Sequence, residues 1–149
     1  MPSFSRRATL EWTGDVPRGS GRVAAGSSAF EVEATFPRLA GERAGATTPE
    51  ELLAASHATC FGIALRSVLG QRGGSADRLQ VTSTVTAEKG KGRIELRQVH
   101  LEGEVSGLTG VSHAELDEIA RAAEEACTIS VLLRATVPVT VSVRANDDG

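Results

Sequence analysis

The chain has 149 residues, of which 40% are hydrophobic and 23% charged, and its formal net charge is -3. This is the make-up of one globular domain, residues 1–149, with chain enough for a substantial core and no basic face suited to nucleic acid or an anionic membrane. Aromatics are only 3% and tyrosine is absent, which also speaks against surfaces on which bases stack.

The opening residues, MPSFSRRATLEW, lack the apolar core of a signal peptide, and no run is expected to reach the ~18 apolar residues of a membrane span. A cytoplasmic protein is expected. Ser5 to Trp12 alternates loosely and predicts a strand, and Thr13-Gly14-Asp15 and Pro17 to Gly21 predict a turn. Val23–Ala25 and Phe30–Ala34 predict two more strands, joined through Gly26-Ser27-Ser28 as a hairpin. Thr35 to Ala46 contains Pro37, Gly41 and Gly45 without periodicity and reads as a loop carrying Arg38, Glu42 and Arg43.

The next stretch, TTPEELLAASHATCFGIALRSVL from Thr47 to Leu69, predicts the spine of the fold. Thr48 is placed as N-cap, Pro49 at the first helical position and Glu51 three residues after the cap, a capping box. The residues that follow are apolar on nearly every side, so the helix is expected to be buried all round. Gly70 to Asp77 is a loop that offers Gly70 or Gly73 as the helix C-cap. Leu79, Val81, Ser83, Val85 and Ala87 then share one phase of a half-buried strand, Gly90-Lys91-Gly92 turns the chain, and Arg93 to Val105 returns. Ile94 and Leu96 are out of phase with Val99, Leu101 and Val105, which predicts a β-bulge near Arg97 or Gln98 and an exposed His100.

Ser112-His113-Ala114-Glu115 is a second capping box, ahead of Leu116, Ile119, Ala120, Ala123 and Cys127 at helical spacing. Thr128 is expected to cap a short helix, Ile129 to Arg134, so that Cys127 falls near a helix start, where a thiolate is favoured. Val137 to Val143 closes the chain as a strand that Pro138 puts at a sheet edge or turns with its N–H side outward.

Two cysteines, Cys60 and Cys127, and three histidines include neither CxxC nor HxxxH, so no metal site is expected. The cysteines can be read as small buried hydrophobes. They can also be read as a redox pair, in which Cys60 attacks a peroxide, becomes a sulfenic acid and condenses with a second thiol. That scheme requires sulfurs within bridging reach, a cation to favour thiolate and departing alkoxide, and an anion to hold the cation. Arg38 and Glu50 are the available pair. On one continuous helix, the ten residues from Glu50 to Cys60 rise about 15 Å, so a site using both must fold back or be completed by a second chain, and an intertwined homodimer is expected. Leu53, Ser56, Phe61 and Ala64, beside Cys60, are expected to offer an apolar substrate mostly hydrocarbon. His57, one turn before Cys60, reads as a satisfied core histidine.

The segment Thr48-Pro49-Glu50-Glu51-Leu52-Leu53-Ala54-Ala55-Ser56-His57-Ala58-Thr59-Cys60-Phe61 resembles the central-helix signature of the OsmC/Ohr family, the osmotically inducible and organic hydroperoxide resistance proteins. Trp12-Thr13-Gly14-Asp15 with Arg18-Gly19-Ser20-Gly21 resembles the opening hairpin of the OsmC branch. The resemblance implies an α+β fold, with antiparallel sheets wrapped around a long buried central helix in an intertwined homodimer whose active sites lie at the interface. It implies a cofactor-free thiol peroxidase that reduces small organic hydroperoxides and is recycled by an external dithiol. By position, Cys60 matches the peroxidatic cysteine, Cys127 the resolving one, Arg38 the activating arginine and Glu50 its carboxylate partner; Arg18 competes with Arg38 for the cationic role. One departure is Thr128, where the family's second cysteine is usually followed by proline, which implies a less rigid backbone around Cys127. A non-catalytic dimeric binding protein for small apolar ligands and a thiol redox sensor are the alternatives.

Overall fold

The computed structural model of the chain describes residues 1–36 and 44–146. They fall into two compact units, Met1–Leu52 and Leu53–Gly149. The first is a four-stranded sheet in the order β1-β2-β3-β4, formed by β1 (Ala8–Thr13), β2 (Ser20–Ala25), β3 (Glu31–Ala34) and β4 (Ala46–Thr47). The three predicted strands pair antiparallel, Trp12 opposite Gly21 and Val23 opposite Val32. The β2–β3 turn places Ser28 at φ 66°, a left-handed conformation that short polar residues tolerate in turns.

The two-residue β4, inside the stretch read as a loop, pairs parallel to β3 through Glu33 with Ala46 and Ala34 with Thr47. Such pairing leaves no local pattern, and two residues are too few to show a period of two.

Helix α1 (Pro49–Gln71) starts in the first unit. The Thr48 hydroxyl accepts from Glu51 N–H at 3.3 Å, as an N-cap does. The expected capping box is not completed: the Glu51 carboxylate accepts from the Thr47 hydroxyl at 2.8 Å, a partner one residue earlier. At the other end Gly73, at φ 80°, lets the chain leave the helix, and Gly74 N–H donates to Leu69 O at 2.9 Å.

The second unit holds the rest of α1 against a three-stranded sheet in the order β5-β6-β7, built from β5 (Arg78–Lys89), β6 (Ile94–Ser106) and β7 (Val139–Asn146). β5 and β6 form a long antiparallel hairpin, and the register shift falls where phase analysis puts it: Thr86 faces Gln98 and Ala87 faces Leu96, leaving Arg97 as the extra residue. β7 lies at the edge, parallel to β6, with Val99 opposite Val139 and Val105 opposite Ala145. Both sheets are therefore mixed, not antiparallel as expected; a final strand reached through helices can return in the same direction as its neighbour. His100 is half-buried, its Nδ1 2.6 Å from the Thr140 hydroxyl across the parallel pair.

Ser112 N–H donates to the Glu115 carboxylate at 2.6 Å and starts a single 3-10 turn, His113–Glu115, leading into α2 (Leu116–Ala126). Its apolar face is buried as the spacing predicts, and α3 (Thr128–Arg134) follows without a loop. One core results: Phe61, Leu65 and Leu69 of α1 meet Leu101 and Val105 of β6, Leu116, Ile119 and Ala123 of α2, and Cys127.

The central helix is not buried all round within its own chain. Its buried residues in α1 are His57, Phe61, Leu65, Val68 and Leu69, a stripe at helical spacing, whereas Ile63 is 68% exposed. By length and composition α1 would also pass as a membrane span, but this stripe sits in a packed protein core. Truncating the aromatic at its centre, Phe61→Ala, is predicted to destabilise the second unit by about 3–5 kcal/mol, and Ile63→Ala to change chain stability by under ~1 kcal/mol. Denaturant unfolding of the two variants checks this contrast; similar losses would contradict it.

Candidate functional site

The two sulfurs come together in the second unit. Cys60, half-buried on α1, packs against the core that contains fully buried Cys127, and both are free thiols. They are close enough that Cys60 contributes to raising the Cys127 thiol. The local cause lies in the helix faces. Phe61, the neighbour of Cys60, is drawn into the core with Leu65, while Ala123 and Ile119 turn the C-terminal end of α2 inward and bring Cys127 to the same place.

Cys127 itself, not Thr128, is the N-cap of α3: its sulfur accepts Ser130 N–H at 3.4 Å. This one bond does locally what a proline after the cysteine would do by restricting the backbone, and the Thr128 departure leaves Cys127 beside Cys60. The helix start favours the thiolate as expected, through the Ser130 N–H, but burial outweighs it. Burial pushes the Cys127 thiol up; the Ser130 hydroxyl and N–H oppose this, and Cys60 adds to the rise.

A histidine completes the cluster. His57 is fully buried and its Nε2 lies 2.7 Å from the Ser130 hydroxyl, a contact between residues 73 positions apart. Its other nitrogen, Nδ1, is buried with no hydrogen-bond partner among the described residues, so the expected satisfied core histidine is satisfied on one side only. Burial, and next the Arg134 charge, hold His57 below its ordinary value and favour the neutral ring. A proton on Nδ1 would be an orphaned buried donor, costing about 1–3 kcal/mol, so we assign it to Nε2, which donates to Ser130 Oγ. The Ser130 O–H is then free to act on the Cys127 sulfur. At the rim, Arg134 and Glu124 approach to 3.6 Å, while burial raises the Glu124 carboxyl and Arg134 partly offsets this.

The remaining predicted residues lie elsewhere or outside the description. Arg38 lies outside the described residues. Glu50 is in the first turn of α1, and its Oε2 is buried without a hydrogen-bond partner among the described residues. Arg18 is exposed on the β1–β2 turn, its backbone N–H bonded to Asp15 Oδ1 at 2.9 Å. Phe61 is fully buried in the core and offers no surface to a substrate, contrary to expectation; Leu53 and Ala64 are half-buried and Ser56 exposed. Ser130 escaped notice in the sequence. The signal that could have found it is the i to i+3 spacing in Cys127-Thr128-Ile129-Ser130, the spacing of a cap and its bonded N–H.

Comparison with known proteins agrees with this geometry. Residues 41–142 match the family model described as "OsmC-like protein". The chain is 28% identical over 145 residues to "Peroxiredoxin OsmC" of Escherichia coli (strain K12), covering 96% of this chain and 99% of that protein. It is 30% identical over 128 residues to "Organic hydroperoxide resistance protein OhrA" of Bacillus subtilis (strain 168), covering 83% and 86%. Among solved structures, an organic hydroperoxide resistance protein from Elizabethkingia anophelis aligns with TM-score 0.78 at 26% identity, covering 97% of this chain and 99% of that one. A second, the organic hydroperoxide resistance protein OsmC from Legionella pneumophila, aligns with TM-score 0.76 at 28% identity, covering 97% and 99%. A two-sheet α+β fold, a long central helix carrying one cysteine and a match across most of the sequence lead to one conclusion: the chain belongs to the OsmC-like family.

Proposed function

We propose that the protein is a thiol-dependent peroxidase that reduces organic hydroperoxides to alcohols. The observation that carries this reading is the meeting of two free sulfurs, one half-buried and one fully buried, in the same core. The names of its relatives, a peroxiredoxin and organic hydroperoxide resistance proteins, support the same chemistry. The Cys60 thiolate attacks the outer oxygen of the hydroperoxide; the O–O bond breaks, Cys60 becomes a sulfenic acid, and the alkoxide takes up a proton and leaves as alcohol. Cys127 then attacks the Cys60 sulfur, the disulfide forms, and the hydroxyl leaves as water with the Cys127 proton. An external dithiol returns both cysteines to thiols and becomes a disulfide itself.

Arg38 is the cation of this scheme and Glu50 its carboxylate partner. A buried Glu50 oxygen without a hydrogen-bond partner among the described residues supports a carboxylate waiting for a strong donor. Glu50 sits ten residues before Cys60 on one helix, which supports a site completed by a second copy of the chain. So does the outer face of α1. Ala58, Gly62, Ile63 and Arg66 line, with Leu79 and Val81 of β5, an open groove of about 460 Å³, and this largely apolar lining with the exposed Ile63 supports a surface that a second copy covers. The active protein is therefore a homodimer.

Wild-type protein with dithiothreitol is predicted to consume cumene hydroperoxide and the Cys60→Ser variant to consume none; equal and negligible rates would leave a binding protein or sensor. Arg38→Ala is predicted to lower kcat/KM by about 10²- to 10³-fold and Arg18→Ala by less than threefold on the order-of-magnitude scale of surface changes, read in the same assay; the reverse order would assign the cation to Arg18. Sedimentation of wild type is predicted to give a dimer and of Ile63→Glu a folded monomer, and a wild-type monomer would contradict the shared site.

A further inference from the structure

His57 and Ser130 are two fully buried polar residues that the peroxidase scheme does not use. His57 sits three residues before Cys60 on α1, and Ser130 three residues after Cys127 in α3. Their 2.7 Å contact ties the helix that carries one sulfur to the helix start that holds the other. Ser130 also reaches Cys127 directly, its N–H lying 3.4 Å from the sulfur. Burying two polar side chains for structure alone is costly unless both are fully bonded, and His57 Nδ1 has no hydrogen-bond partner among the described residues. An apolar pair of similar size would satisfy packing; the polar pair calls for a further reason.

We propose that His57 and Ser130 are positioning residues for the resolving half of the cycle, a donor relay in which His57 Nε2–H holds the Ser130 hydroxyl so that its O–H and the Ser130 N–H stabilise negative charge on Cys127 sulfur. The charge arises twice. It develops when Cys127 gives up its proton to attack the Cys60 sulfenic acid, the S–S bond forming as the S–O bond breaks and water departs. It arises again when an external thiolate attacks the Cys60 sulfur of the disulfide and Cys127 leaves with the bonding electron pair, to be reprotonated from water. A fully buried sulfur in the apolar core has little access to solvent donors, so fixed donors from the protein take their place. The relay does not touch the peroxide, and sulfenic acid formation at Cys60 proceeds without it.

This inference rests on the peroxidase reading, and its test separates the two. Stopped-flow kinetics with cumene hydroperoxide resolve sulfenic acid formation from disulfide formation. Ser130→Ala and His57→Leu are predicted to slow disulfide formation about tenfold, the effect of losing one hydrogen bond to a charged group, while leaving sulfenic acid formation within about twofold. Ser130→Thr, which keeps the hydroxyl, is predicted to restore the rate. In a Cys60→Ser background, where Cys127 is the lone thiol, its ultraviolet thiolate titration is predicted to move up by about one pH unit on adding Ser130→Ala and to return with Ser130→Thr. Unchanged disulfide rates with an unchanged Cys127 titration would overturn the relay, and so would equal slowing of both steps, the pattern of loosened packing. If wild type consumes no hydroperoxide, the peroxidase reading fails while the Cys127 titration still decides the relay.

Discussion

The second unit depends on one packing constraint, the burial of a single stripe of α1. Phe61, Leu65, Val68 and Leu69 have no exposed area to speak of, and each such side chain removed from water stabilises by roughly 1.5–3 kcal/mol. The stripe must face the sheet and α2, and this fixes the rotation of the helix about its axis. Cys60 precedes Phe61 by one residue, so the same rotation sets it at the edge of the core, half in and half out, where it meets Cys127. The position of the Cys60 sulfur is thus a by-product of hydrophobic packing, and no separate device is needed to hold it.

Cys127 is held differently. It sits between two helices that follow one another directly, where α2 supplies the apolar anchor through Ile119 and Ala123 and α3 supplies the bond from Ser130 N–H. Burial makes this thiol reluctant to ionise, and the surrounding donors pull the other way. In the proposed peroxidase cycle this opposition suits a thiol that stays inert until its partner is oxidised. The exposed side of α1, with Ile63 and the groove beside β5, carries the complementary lesson: the helix is apolar on more sides than its own chain covers.

Much of this was legible in the sequence because it is local. The β5 alternation, the slip at Arg97, the apolar face of α2 and the Ser112 start signal each depend on residues within one or two turns of each other, and all appear in the structure. The central-helix segment from Thr48 to Phe61 led to the family by resemblance. What was not legible depends on distant parts of the chain. Parallel pairing of β4 with β3 and of β7 with β6 has no sequence period of its own, the covered side of α1 is chosen by the sheet, and His57 finds Ser130 across 73 positions. The capping choices were ambiguous in principle. Thr47 and Thr48 both offer a hydroxyl to the α1 start, and Cys127 outcompetes Thr128 as cap because its backbone is extended at φ -86° and ψ 108°.

The central claim is that Cys60 and Cys127 are within bridging reach in a single chain. Intact-mass measurement of the denatured, non-reduced protein after one equivalent of hydroperoxide addresses it directly. A monomer mass lower by two hydrogens, with the Cys60 and Cys127 peptides joined, is the result the account predicts; a mass higher by one oxygen with Cys127 still free would contradict it.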